Sequence, residues 1–224
     1  MWNVVKSLYK KLRRRILRLV NLMKRNKNFE RELPPGYKQV MHINAKNKGT
    51  AFLLSLGSLA ITAVVFILLM IPLFKSGIDL SKISPLGFFR FYGTFILYSI
   101  IYIVLHELTH GLVYKIMTGE KLTFGITSAA AFCGVPKIYT YRRCALAAIL
   151  APLVVFTVII GGIVLLLSFA NPLYYVGFSF LFSLHLGGCI GDGYLGYLLL
   201  TRFKSDDVLM KDTGPEQFIY EKNK

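Results

Sequence analysis

The sequence predicts an all-α membrane protein. Four transmembrane helices follow a basic amphipathic helix lying at the interface, and a short β-hairpin is a candidate between spans two and three. Three observations predict it. Apolar residues make up 54% of the 224 and charged residues 17%, with a mean hydropathy of +0.54. A soluble chain carries about 25% charged residues, so this one lacks the polar surface to cover a water-soluble body. The apolar residues gather into four runs, each longer than the roughly 20 residues that cross a 30 Å hydrocarbon core. The formal charge of +16 is concentrated at one end.

Residues 1–49 form a basic interfacial segment, with 14 Lys and Arg against two acids, Glu30 and Glu32. Trp2, Val5, Tyr9, Leu12, Ile16, Leu19 and Met23 recur at three- and four-residue steps, while Lys6, Lys10, Arg13, Arg14, Arg18 and Arg25 fill the other faces. That pattern suits a helix lying on an anionic leaflet of a lipid bilayer. No long apolar core follows the charges, which argues against a secretory signal. Such a charge balance also occurs in nucleic-acid binders, but the lipid-soluble remainder makes a nucleic-acid partner unexpected.

The membrane core covers residues 50–201, with spans at about 50–74, 88–117, 145–170 and 173–201. Flanking bases orient it. The 75–90 connection carries a net +2, the 115–143 connection +4, and the 170–174 link nothing. Together with the basic first segment, this puts both termini in the cytoplasm, the second as a tail over 202–224. In the 118–141 connection, Lys121–Thr127 alternates loosely and Ala129–Phe132 precedes a Cys-Gly-Val-Pro turn signal, which makes it the hairpin candidate. Pro152 falls inside the third span, where membrane helices tolerate it. The three cysteines, Cys133, Cys144 and Cys189, cannot all pair. Cys189 lies in an apolar run, which favours a reducing or membrane-buried setting.

Chemistry concentrates in the second and fourth spans. His106-Glu107-Leu108-Thr109-His110 is a His-Glu-x-x-His run within a helix. The i, i+4 spacing brings both imidazoles to one face, where they can bind one zinc ion with the glutamate beside it. Four His and six Glu in 224 residues would produce such a run by chance in about two chains per thousand, so the motif stands well above coincidence. Three ionisable groups within five residues of a lipid-spanning helix are also costly without a partner or a cavity.

A catalytic zinc takes three protein ligands and keeps a fourth position for water. Candidates for the third are His185, Cys189 and Asp192 in the fourth span and Glu120 in the loop. Depth separates them. Both spans run toward the cytoplasm, and the middle of the His pair and Asp192 each lie nine residues from their span's end, or roughly 14 Å. His185 sits about 10 Å further from that side. Asp192 matches in depth. Gly187, Gly188, Gly191, Gly193 and Gly196 surround it, and small residues let helices approach closely or break around a polar site. His185, on the same face as Asp192, reads as a hydrogen-bonded helix histidine, and Cys189, off that face, as packing.

An HExxH motif in one membrane helix with an Asp-Gly in a later one resembles the site-2 protease class of intramembrane zinc metalloproteases. The short four-span format, with HELTH followed by Gly-Gly-Cys-Ile-Gly-Asp, most resembles the putative zincin peptidase branch of bacterial membrane proteins. The resemblance covers about Phe88 to Thr201. It implies His106, His110 and Asp192 as ligands of one zinc ion per chain, and Glu107 as the catalytic general acid/base. It also implies a multi-pass protein of the bacterial cell membrane that hydrolyses membrane-protein or peptide substrates. The Asn and Pro that site-2 proteases carry shortly before the Asp are missing from Leu186–Gly191.

Two other classes use the same residues: a divalent-metal transporter or sensor, and a catalytically idle membrane adaptor. Glu107 discriminates among them. Transport has no need for a non-ligating glutamate between the histidines, whereas hydrolysis needs a group to take the proton of water.

Overall fold

The computed structural model describes residues 28–75, 85–127, 130–167 and 172–223, together with Trp2 and Lys6. The basic amphipathic helix expected over the first 25 residues lies outside the described residues apart from those two.

The described chain is helix-rich, with five helices: α1 (Lys48–Lys75), α2 (Pro85–Thr118), α3 (Arg142–Leu167), α4 (Pro172–Gly188) and α5 (Ile190–Thr201). Three of them, α1, α2 and α3, are long and apolar enough to cross a membrane. The pair α4 and α5, bent by 44° at Cys189, brings the number to four if it counts as one span. Their outer faces show why lipid is required. Leu53, Ile67, Val158 and Leu165 are all more than 60% exposed, and a surface of such side chains in water forfeits roughly 1.5–3 kcal/mol per residue. The protein is an integral membrane protein.

The prediction of an all-α chain is corrected by seven strands among the described residues. β1 (Phe29–Glu30), β2 (Tyr37–Asn44), β5 (Tyr139–Tyr141), β6 (Leu209–Asp212) and β7 (Glu216–Lys222) form one antiparallel sheet in the order β1-β5-β6-β7-β2. Its strands come from before α1, from between α2 and α3, and from after α5. The N-terminal end of α1, the C-terminal end of α2, the N-terminal end of α3 and the C-terminal end of α5 therefore share one side. The β6–β7 turn is built by Asp212, whose Oδ1 accepts the Gly214 N–H at 2.9 Å, with Gly214 in the left-handed region at φ +97°. Strands β3 (Thr123–Ile126) and β4 (Ala131–Gly134) make a separate antiparallel ladder, with Thr123 opposite Gly134 and Ile126 opposite Ala131.

The sheet packs on the helix ends through Met210 and Ile219, which meet Ala145 and Ile149 of α3 and Leu195 and Leu199 of α5. A second cluster joins Tyr114 and Met117 of α2 to Val135, Ile138, Cys144 and Ala148. Within the membrane layer, Phe95, Phe156, Ile160 and Leu181 bring α2, α3 and α4 together. Helix α1 is held largely by α4: Gly187 sits against the Ser58 carbonyl and the Thr62 hydroxyl, and Thr62 donates to the Ser183 carbonyl at 3.3 Å. A side chain at 187 would push these helices apart.

Candidate metal centre

His106 and His110 lie one turn apart in α2, both buried. Asp192 is the third residue of α5. Because the fourth hydrophobic run breaks at Cys189, this acid sits in the first turn of a new helix rather than in the middle of a long one. That location favours a carboxylate, since the N-terminal peptide dipoles point at it. The break occurs without Asn or Pro, among Gly187, Gly188 and Gly191.

The three side chains converge. Nε2 of His106 lies 3.2 Å from Asp192 Oδ2, Nε2 of His110 lies 3.4 Å from the same oxygen, and the two Nε2 atoms are 3.2 Å apart. Ligands placed tetrahedrally about 2.0–2.1 Å from one zinc are about 3.3–3.4 Å from each other, so these three atoms describe one face of such a tetrahedron. Two imidazole lone pairs facing each other and a carboxylate at this range repel unless a cation or protons lie between them. The donor set therefore fits zinc.

To hold a metal there, each histidine would offer a bare Nε2, with its proton on Nδ1. For His110 the reason is visible in α3. Its Nδ1 lies 2.8 Å from the carbonyl oxygen of Ala148, which can only accept, so Nδ1 carries the hydrogen. That carbonyl is free because the residue four positions on is Pro152, which has no N–H to give it. A proline that reads in the sequence as a tolerated kink thus supplies a hydrogen-bond acceptor to the site. Restoring an N–H with Pro152→Ala is expected to weaken zinc binding by about three- to tenfold, since the carbonyl keeps a second lone pair. A chelator competition measures this, and an unchanged affinity would show that one carbonyl serves both donors.

Glu107 is half-buried and lines a cavity of about 530 Å³ together with His106, His110 and Asp192. The opposite walls come from Ser55, Ser58 and Thr62 of α1, from Ala131–Cys133 of β4, and from the β6–β7 turn. A buried carboxylate, Asp212, stands in that turn. It accepts from the Tyr114 hydroxyl at 2.8 Å and from Gln217 at 3.4 Å as well as from Gly214. Burial pushes its carboxyl above the ordinary carboxylate range against these bonds. Tyr114 lies one turn after His110, so Asp212 clamps the sheet to the helix that carries the motif.

The other candidate ligands are placed differently. Glu120 pairs with Arg31 at 2.8 Å. His185 and Cys189 are buried, with Cys189 Sγ 3.6 Å from His185 Nδ1. Together with His106 these two make a second group whose ligand atoms lie within 4.8 Å of one another. The hydroxyl of Tyr102 stands among them, 3.0 Å from His106 Nδ1 and 2.8 Å from His185 Nδ1. No sequence motif marks Tyr102. Its only signal was its position four residues before His106, on the same helix face. The three cysteines are buried and free.

Residues 99–208, which contain both histidines, Glu107 and Asp192, match the family described as "Putative zincin peptidase". The family implies zinc and a metallopeptidase activity. No curated protein and no solved structure matches the chain.

Proposed function

We propose that this chain, which over residues 99–208 belongs to the putative zincin peptidase family, is a zinc-dependent intramembrane endopeptidase. The observation that carries the reading is the convergence of two imidazole nitrogens and one carboxylate oxygen, at 3.2–3.4 Å from each other, beside a non-ligating glutamate on a cavity wall. Zinc bound there supplies a water of lowered pKa and polarises the scissile carbonyl. His106, His110 and Asp192 would hold the metal, and all three line the cavity. Glu107 takes a proton from water and delivers it to the leaving amine. The apolar helices exclude bulk solvent, and Ser55, Ser58 and Thr62 give the cavity a polar wall within the membrane layer.

A substrate helix must unwind before its peptide bonds can be attacked. Strand β4 supports this part of the reading, because Ala131, Phe132 and Cys133 line the cavity. An extended segment laid along β4 would gain main-chain hydrogen bonds. The sheet side of the molecule is the cytoplasmic side in this proposal, with the flanking bases Arg142, Arg143 and Lys115 on it. Substrates carrying helix-breaking residues near the cytoplasmic end of their span are therefore expected to be cleaved faster.

The test uses the purified chain in lipid nanodiscs. It should hold about one zinc, and cleave a transmembrane reporter peptide in a reaction stopped by a chelator and restored by zinc. Adding a Gly-Pro pair to the reporter should raise the rate by about tenfold or more. Zinc-free protein that cleaves nothing would sink the proposal, and a rate indifferent to helix breakers would sink the unwinding step.

A further inference from the structure

We infer that Phe132 is a specificity-determining residue of the proposed peptidase. It selects substrates whose unwound segment places Leu or Phe, rather than Ala, beside its ring. This rests on the reading of the cavity as a peptidase site. Strands β3 and β4 form a ladder of two, so each has one edge without a ladder partner. Among the described residues only β4 of the pair borders the cavity, through Ala131, Phe132 and Cys133. The hairpin is seated against the motif helix at Gly111, directly after His110. A Cβ there would come within 2.9 Å of the Phe124 ring and 3.2 Å of Cys133 Sγ.

Register assigns the two faces of the hairpin. Phe124 stands opposite Cys133 and Gly125 opposite Phe132, and successive side chains of a strand point to opposite faces. Phe124 and Cys133 turn toward α2, so Phe132 turns away from it. On that second face its ring lies over two residues without side chains. One is Gly125, its cross-strand partner. The other is Gly214 of the β6–β7 turn, and a Cβ on either would overlap the ring. An aromatic ring laid over a glycine of the neighbouring strand is a stabilising pair in sheets. The ring is thus held on its β3 side and at the turn, while Phe132 stays half-buried and forms part of the cavity wall.

A peptide strand added to the free edge of β4 would alternate in the same way. One set of its side chains points toward α2, which carries His106, Glu107 and His110. The other set points to the side of Phe132, where Gly214 and Pro215 continue the cavity wall. These three offer an apolar surface, and side chains on one face of neighbouring strands touch. An alanine leaves the ring uncovered there, whereas Leu or Phe removes apolar surface from water on both partners. An apolar pocket separates side chains that differ by one methylene by roughly 10–200-fold, so a preference of about tenfold for Leu over Ala is expected.

The experiment uses full-length protein in lipid nanodiscs and a set of transmembrane reporter peptides. Each carries the same Gly-Pro helix breaker followed by an alanine segment, in which successive positions are replaced one at a time by Leu. At one or more positions Leu should raise kcat/KM about tenfold over the all-alanine parent. Phe132→Ala should remove the preference at one such position and leave the relative rates of the other reporters unchanged. Gly125→Ala adds a Cβ that drives the ring toward the free edge, so it should reverse the preference at that same position. A merely loosened hairpin would slow every reporter by one factor. That result would overturn the inference, as would a set of Leu preferences that survives intact in Phe132→Ala. Anisotropy titrations of the same reporters against Glu107→Gln protein, with and without Phe132→Ala, give the ratios as binding without cleavage. A wild type that cleaves nothing, while these titrations show the Leu preference and its loss, would defeat the peptidase reading and keep the role of Phe132 in binding. Titrations without any Leu preference would overturn that role.

Discussion

Replacing Glu107 by glutamine is expected to abolish measurable peptide hydrolysis while leaving zinc content unchanged. Glutamine keeps the shape and the hydrogen-bonding reach of the side chain but cannot take a proton. A positioned general base contributes typically 10²–10⁴-fold to such reactions, so the variant should retain at most about one per cent of wild-type turnover. The side chain is no member of the converging set formed by His106, His110 and Asp192, which is why the metal should stay. The measurement pairs metal analysis with reporter cleavage on one preparation. Full cleavage by the Glu107→Gln protein would remove Glu107 as the general base, whereas a wild type that holds zinc and cleaves nothing would favour a transporter or sensor using the same ligands. Loss of both zinc and cleavage would mean that Glu107 acts as a ligand.

The second large effect is expected at Asp192. Alanine there removes the only carboxylate oxygen of the converging set and leaves two imidazole nitrogens 3.2 Å apart with no negative partner. A four-ligand zinc site is worth about 10–16 kcal/mol in all, so one ligand accounts for roughly 3–4 kcal/mol, or about 10²–10³ in affinity. Asp192→Ala should therefore lose zinc on dialysis against a weak chelator that leaves the wild type loaded. Thermal unfolding gives an independent reading, because a ligand that binds only the folded state stabilises it in proportion to the logarithm of its saturation. Added zinc should raise the unfolding temperature of the wild type and leave that of the variant nearly unmoved. Equal shifts in both would mean that the metal is held elsewhere, with His106, His185 and Cys189 as the next group to test.

Depth along the spans and the tertiary structure reach Asp192 by different arguments. In two helices that run in the same direction, the number of residues to the membrane edge sets depth without any contact being known. The fold brings Asp192 Oδ2 to 3.2 Å from His106 Nε2 by a means that counting could not foresee. It bends the fourth hydrophobic run by 44° at Cys189 and makes the acid part of a helix's first turn. The glycines around it permitted such a break. Nothing in their spacing dictated where it would fall.

The sheet was hidden for a different reason. Its strands are short, two to eight residues, and their partners are far apart in sequence, as with Tyr37 opposite Lys222. Hydrophobic periodicity over four residues of β6 carries little information, and pairing across the length of the chain carries none until the helices have brought the segments to one side. The N-terminal segment and the tail, read as a basic interfacial segment and a cytoplasmic tail, supply β1, β2, β6 and β7.

What the sequence by itself determined follows from local rules: apolar runs long enough to span lipid, and a His-Glu-x-x-His spacing that one helix turn brings to one face. These depend only on residue order and on the solvent each residue can tolerate. Tertiary structure decided which nitrogen of His110 is free to face Asp192. The acceptor that settles it, the Ala148 carbonyl released by Pro152, acts through a hydrogen bond that is specific over a few tenths of an ångström. Residues 38 positions apart meet at that precision only after the helices have packed.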